Sequence, residues 1–74
     1  MQTKFKRHQL VRIVTPPDPE YVEFYEDKRE ITKGMKGKIN ILLPNGQYHV
    51  EILDEEGEAL AYAPMSEDDL EAVD

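Results

Sequence analysis

The sequence predicts an all-β domain, a small five-stranded barrel, and three observations predict it. Apolar and polar residues alternate along Lys38-Ile39-Asn40-Ile41-Leu42-Leu43 and again along Gln47-Tyr48-His49-Val50-Glu51-Ile52-Leu53, the period of two that half-buried strands show. Between these runs stands Pro44-Asn45-Gly46, and Asn-Gly is the strongest short-range hairpin signal, read here as a type I′ turn with positive φ at both residues. Ahead of them, Gly34-Met35-Lys36-Gly37 offers Gly34 for the positive φ of a tight turn before Gly37 opens the strand.

The first strand is expected over His8–Val14, a β-branched run with Val11 and Ile13 inward, Arg12 facing water, and Leu10 and Val14 on the opposite, partly covered face. Thr15-Pro16-Pro17-Asp18-Pro19 ends it, because proline donates nothing to a ladder and the residue before proline avoids the helical region. A long loop then runs to Glu30, part of it able to form a short strand or a turn of helix. Unstructured loops beyond about 12 to 15 residues tend to be functional or mobile. Ile31 and Met35 bring the chain back to the core.

In the second strand, from Gly37, the inward set is Ile39, Ile41 and Leu43; in the third it is Tyr48, Val50 and Ile52, with His49 and Glu51 outward. Asp54-Glu55-Glu56-Gly57 makes the next turn, and Glu58–Ala63 returns as a fourth strand that Pro64 ends. Ser66 caps a single 3₁₀ or α turn with acids in its first positions, and Leu70-Glu71-Ala72-Val73 closes the fold as a short last strand.

Seventy-four residues make one domain, 1–74, which buries only about 60% of the surface its unfolded chain exposes. Without cysteine, neither a disulfide nor a thiolate zinc site can staple it, and a cysteine nucleophile is excluded. The basic N-terminus Met1 to Arg7 lacks the apolar stretch of a signal peptide, and no segment approaches the roughly 20 apolar residues that span a bilayer, so a cytoplasmic location is expected. The net charge of −7 conceals an asymmetry: all nine Lys and Arg lie in residues 1–38 with six acids, leaving +3, whereas residues 39–74 carry ten acids and no Lys or Arg, leaving −10. The two halves are read either as solvated faces that attract one another across the barrel or as a bipolar surface that orients a charged partner.

The strand His8 to Val14, the Gly34-Met35-Lys36-Gly37-Lys38-Ile39 turn into the second strand, Tyr48-His49-Val50-Glu51-Ile52 with an acidic turn ending in Gly57, and the closing Asp69-Leu70-Glu71-Ala72-Val73 together resemble the small prokaryotic SH3-like barrel proteins of uncharacterised function. The resemblance covers most of the chain and departs from it in the loop Pro16 to Glu30. More loosely, the chain is similar to KOW modules of ribosomal and transcription factors, to the PsaE-type subunit of photosystem I and to accessory subunits of redox enzymes. These resemblances imply a binding module or small subunit, with no catalytic residue carried over, since the motifs are turn glycines and core positions.

No enzyme, cofactor or metal is expected. His8 and His49, the two histidines, have no nucleophile beside them in sequence, and nucleophile elbow, Walker loop and dinucleotide fingerprint are missing. The GxxG of Gly34–Gly37 lacks the helices of a KH module. Asp54-Glu55-Glu56 and Glu67-Asp68-Asp69 do not have EF-hand spacing and read as a turn and a helix cap. A protein partner, a larger enzyme or complex, is expected to dock on Tyr21, Phe24 and Tyr25 of the long loop, because aromatic side chains dominate binding hot spots, with Glu51 and Glu55 on an acidic face that steers a basic partner. The plain alternative is that Phe24 and one tyrosine plug an open barrel end. A second reading is a KOW-like RNA or DNA contact through Arg7, Arg12, Lys36 and Lys38, and a third is an acidic nucleic-acid mimic that inhibits a basic enzyme. Edges at the first or last strand allow a weak homodimer beside the monomer.

Overall fold

The computed structural model describes residues 4–73; Met1–Thr3, where the basic N-terminus begins, and Asp74 lie outside the described residues. β1 is Leu10–Ile13, β2 Glu23–Phe24, β3 Lys36–Leu42, β4 Tyr48–Leu53, β5 Ala59–Met65 and β6 Leu70–Ala72, with single 3₁₀ turns at Pro19–Tyr21 and Glu67–Asp69. All pairings are antiparallel, in one sheet of order β2-β5-β4-β3-β1-β6. The all-β expectation holds, but the sheet has six strands rather than five and does not close: it ends at β2 on one side and β6 on the other. β1 is interior, between β3 and β6, so only the last strand keeps the edge expected of it.

The sixth strand comes from the long loop. Val22 is buried, Phe24 packs against the core, and Tyr25 N donates to Leu60 O at 3.1 Å. Two apolar residues at strand spacing thus tie the loop to β5, with Asp18 capping the 3₁₀ turn before them through Glu20 N at 3.0 Å.

One face of the sheet carries the core: Val11 and Ile13, Ile39, Tyr48, Val50 and Ile52, Ala61, Ala63 and Met65, and Leu70 are all buried. Among the described residues no α-helix covers that face, so the sheet itself must curl over it. Two bulges, between Ile39 and Ile41 against β4 and between Ile52 and Leu53 against β5, supply bend and extra twist. Phe5 caps the curl, its ring 5.6 Å from that of Tyr48 and edge-on to it, while its N–H donates to the Tyr48 hydroxyl at 3.2 Å.

Four local expectations are corrected. The first strand starts at Leu10, because Lys6 to Gln9 form a turn closed by Gln9 N to Lys6 O at 3.1 Å, with His8 at φ +69°. Ile41, expected inward, is 52% exposed: the bulge absorbs Asn40, so Ile41 pairs with outward-facing His49 and the alternation changes sense. Pro64 does not end its strand but pairs with His49 inside β5. Tyr25 N bonding to Leu60 O, with Glu23 paired to Tyr62, shows that Leu60 and Tyr62 turn their polar groups toward β2; Pro64, two residues on, points its missing donor past the end of that short strand, where no partner waits. The Asn45-Gly46 turn is not type I′. Gly46 N donates to Leu43 O at 3.0 Å and only Gly46, at φ +90°, is left-handed, so Pro44 and Asn45 are the central residues of a type I turn closed by a glycine bulge. Proline at the first central position forbids the positive φ that type I′ needs there. Asp54–Glu58 repeats the device, with Gly57 N on Asp54 O at 3.0 Å.

Candidate functional site

The outward residues of the strands form the second face of the sheet, and the register sets their neighbours. Leu10 lies across from Lys38, Lys38 from Glu51, Glu51 from Tyr62 and Tyr62 from Glu23. Beside this row Arg12 lies between Lys36 and Glu71.

An aromatic cluster sits where β4, β5 and the end of β2 meet. His49 stacks on Tyr62 at 4.9 Å between ring centroids and 29° between planes, and Tyr25 lies 5.5 Å from Tyr62 at 49°. The Tyr25 hydroxyl donates to Glu51 Oε2 at 3.0 Å, and Asn40 Nδ2 is 3.0 Å from His49 Nδ1, a contact that suits the neutral imidazole protonated at Nε2. Partial burial first, then the hydrogen bond and negative charge of Glu51, then Tyr62, raise the Tyr25 phenol above its usual value of 10.0. The residue remains 52% exposed, so a side chain held at its hydroxyl and beside Tyr62 still meets solvent.

The expected docking residues do not form one site. Phe24 and Tyr25 are successive residues of extended chain, so they point to opposite faces: Phe24 packs against the core and Tyr25 joins the outer face. Tyr21, 61% exposed, belongs to the 3₁₀ turn. Glu51 meets Tyr25, while Glu55 is held by Arg29, Nη2 to Oε1 at 3.1 Å between two exposed side chains. The aromatics that do gather, Tyr62 and His49 with Tyr25, are separated in sequence; outward positions on neighbouring strands were the signal for them.

Three of the four basic residues set apart for nucleic acid do come together. Arg12, Lys36 and Lys38 share the outer face of β1 and β3, and Arg7 precedes β1. Lys36 and Lys38 also share a groove of about 620 Å³ with Glu51, Glu55 and Asp54 over Leu10, Leu53 and Ala59, so the two proposed residue sets meet on one mixed-charge surface. A second groove, of about 860 Å³, runs under the loop between Pro16, Pro17, Pro19, Val22, Phe24 and Ile31.

The acidic turns are occupied by their own backbone. Asp54 Oδ1 accepts from Glu56 N and Glu58 N, both at 2.9 Å, and Asp69 Oδ2 accepts from Ser66 N at 3.3 Å. Among the described residues no group of three or more His, Asp or Glu is placed to hold a metal ion, and no helix is long and apolar enough to cross a membrane. No protein-family model, no curated protein and no solved structure matches the chain.

Proposed function

We propose that this chain is a non-catalytic binding module of SH3-like architecture, or the small subunit of a larger complex, and that it docks a protein partner on the outer face around Tyr25, Tyr62 and Glu51. The SH3-like reading is supported by the three-stranded meander β3-β4-β5 with the first and last strands laid successively beside β3, a long loop after the first and a 3₁₀ turn before the last. The observation that carries the docking reading is Tyr25, a half-exposed ring pinned by Glu51 and Tyr62. An aromatic side chain ordered in advance adds contact area without further loss of rotamer entropy. The partner is basic at the contact, because a net charge of −7 steers positive surfaces toward the protein.

The nucleic-acid reading has one observation in its favour, the pairing of Arg12 with Lys36 beside Lys38. Against it, Glu71 lies across from Arg12 and Glu51 across from Lys38, so the basic strip is two strands wide and bounded by carboxylates. Counterion release needs cations that follow a phosphate backbone, and this strip is too narrow to do so.

The test is affinity capture with the intact chain and with the Tyr25→Ala/Glu51→Ala variant, both residues lying outside the core. The variant is expected to lose the captured protein while its circular dichroism spectrum is unchanged and its unfolding stays cooperative, with only a small loss of stability from the Tyr25–Glu51 contact. Retained capture overturns the proposal, and a gel shift with RNA or duplex DNA at low salt transfers the assignment to the basic strip.

A further inference from the structure

We propose that the hollow on the far side of Tyr25 is a subsite for an arginine side chain of the docked partner. This rests on the docking surface above and adds its chemistry. The hollow holds about 370 Å³. Its walls include Tyr25, the apolar residues Ala59 and Leu60, and the carboxylates Glu26, Asp27 and Glu58. The apolar residues suit the alkyl stem of a long side chain, and an aromatic ring suits a delocalised cation.

Charge decides the sign of the occupant. Asp54, also in the lining, has its Oδ1 committed to the backbone of its own turn. Arg29 is the one cation lining the hollow, and its Nη2 is paired with Glu55. Among the described residues no side-chain hydrogen bond or ion pair engages Glu26, Asp27 or Glu58. Three carboxylates therefore face the hollow with no counter-charge of their own, whereas in the groove over Leu10 the carboxylates share their lining with Lys36 and Lys38.

Geometry then selects arginine over lysine. Guanidinium is planar, weakly hydrated and able to stack on an aromatic face while its edge N–H groups reach carboxylates, whereas ammonium is a compact, strongly hydrated point charge. The Tyr25 ring is already oriented, because Glu51 holds its hydroxyl and Tyr62 lies against it. Docking of the guanidinium thus needs no ordering of the wall that receives it.

The experiment follows the Tyr25 ring by NMR in the full chain, at low salt, while it is titrated with acetyl-Gly-Ser-Arg-Ser-Gly-amide and with its lysine and citrulline versions. The arginine peptide is expected to shift the Tyr25 resonances saturably, the lysine peptide to bind about threefold more weakly, and the citrulline peptide to leave them unmoved. Tyr25→Leu, read at the Ala59 and Leu60 amides that also line the hollow, should erase the difference between arginine and lysine, and Glu26→Gln/Glu58→Gln should weaken both peptides about tenfold while leaving the fold intact, since both carboxylates are exposed. Equal binding of arginine and citrulline, or an arginine preference that survives Tyr25→Leu, overturns the subsite. Partner capture separates the two proposals. If Glu26→Gln/Glu58→Gln keeps the partner after losing the peptide, the arginine subsite falls and the docking face stands; if Tyr25→Ala/Glu51→Ala keeps the partner while the unaltered chain binds the arginine peptide, the docking face falls.

Discussion

Replacing Gly37 by alanine puts a methyl group where β3 crosses β4. The new Cβ would lie 2.8 Å from Val50 Cγ1 and 3.2 Å from Glu51 O. Neither neighbour can retreat freely: Val50 is fully buried with a short, stiff side chain, and the Glu51 carbonyl belongs to the β4 backbone. Forcing an extra methyl into a packed core costs about 1–3 kcal/mol, and restricting the unfolded chain by replacing glycine returns about 0.4–1 kcal/mol. The net expectation is a loss of about 1–2 kcal/mol, which for a domain of this size lowers the melting temperature by about 5–15 °C. The assay is a double-mutant cycle with Val50→Ala, read by urea denaturation. Val50→Ala removes the atom that clashes, so the double variant should be more stable than the sum of the single losses by about 0.5–2 kcal/mol. Strict additivity, or a Gly37→Ala chain as stable as the parent, refutes the close-approach account of this glycine.

Tyr48→Phe leaves the Phe5 N–H, now bonded to the buried Tyr48 hydroxyl, without its partner, and should cost about 1–2 kcal/mol in thermal unfolding with the aromatic contact kept. Tyr25 should ionise above 10.0, because partial burial disfavours its charged form and its neutral form is the hydrogen-bond donor to Glu51. Since the folded state holds this proton more tightly than the unfolded state, the stability linked to it is full below the unfolded value near 10.0 and is lost as pH rises through the higher folded value. Glu51→Gln removes the negative charge but not the partial burial, so ring-carbon NMR should find Tyr25 titrating at lower pH than in the parent; an unchanged titration would separate Tyr25 from Glu51.

The sheet was legible wherever period and register agree. Tyr48, Val50 and Ile52 stand inward in β4 as their alternation predicts, and Ser66 precedes a single 3₁₀ turn and then a last strand. The alternation in Lys38–Leu43 misleads because one bulge at Asn40 sets Ile41 across from outward His49, and a bulge is decided by the partner strand rather than by its own sequence. Phe5 carries no local signal: a lone aromatic among Lys4, Lys6 and Arg7 has no period, and its place on Tyr48 is fixed by a contact 43 residues away. The proposed docking surface is half legible. Residue type alone marks Tyr25 and Glu51 as partner-facing, but their meeting, and the departure of Phe24 and Tyr21 from them, depends on β2 pairing with β5.

Charge is where sequence and topology diverge most. A basic half and an acidic half along the chain suggest two opposed faces, yet the strand order places β1 and β3, which carry Arg12, Lys36 and Lys38, between β6 on one side and β4 and β5 on the other. The halves become strips on one face, and opposite charges stand side by side where the strips touch, Arg12 across from Glu71 and Lys38 across from Glu51. Opposite-charge pairs across strands stabilise a sheet by about 0.2–1 kcal/mol each, so this part of the asymmetry serves the fold. Carboxylates with no cation across from them lie beyond the reach of β1 and β3, among them Glu58 just before β5 and Glu26 and Asp27 after β2, which line the Tyr25 hollow. A partner drawn by the net charge would meet partly compensated charge over the middle of the sheet and uncompensated charge at this flank. The flank that also offers a fixed aromatic ring is therefore where a basic side chain gains most by docking.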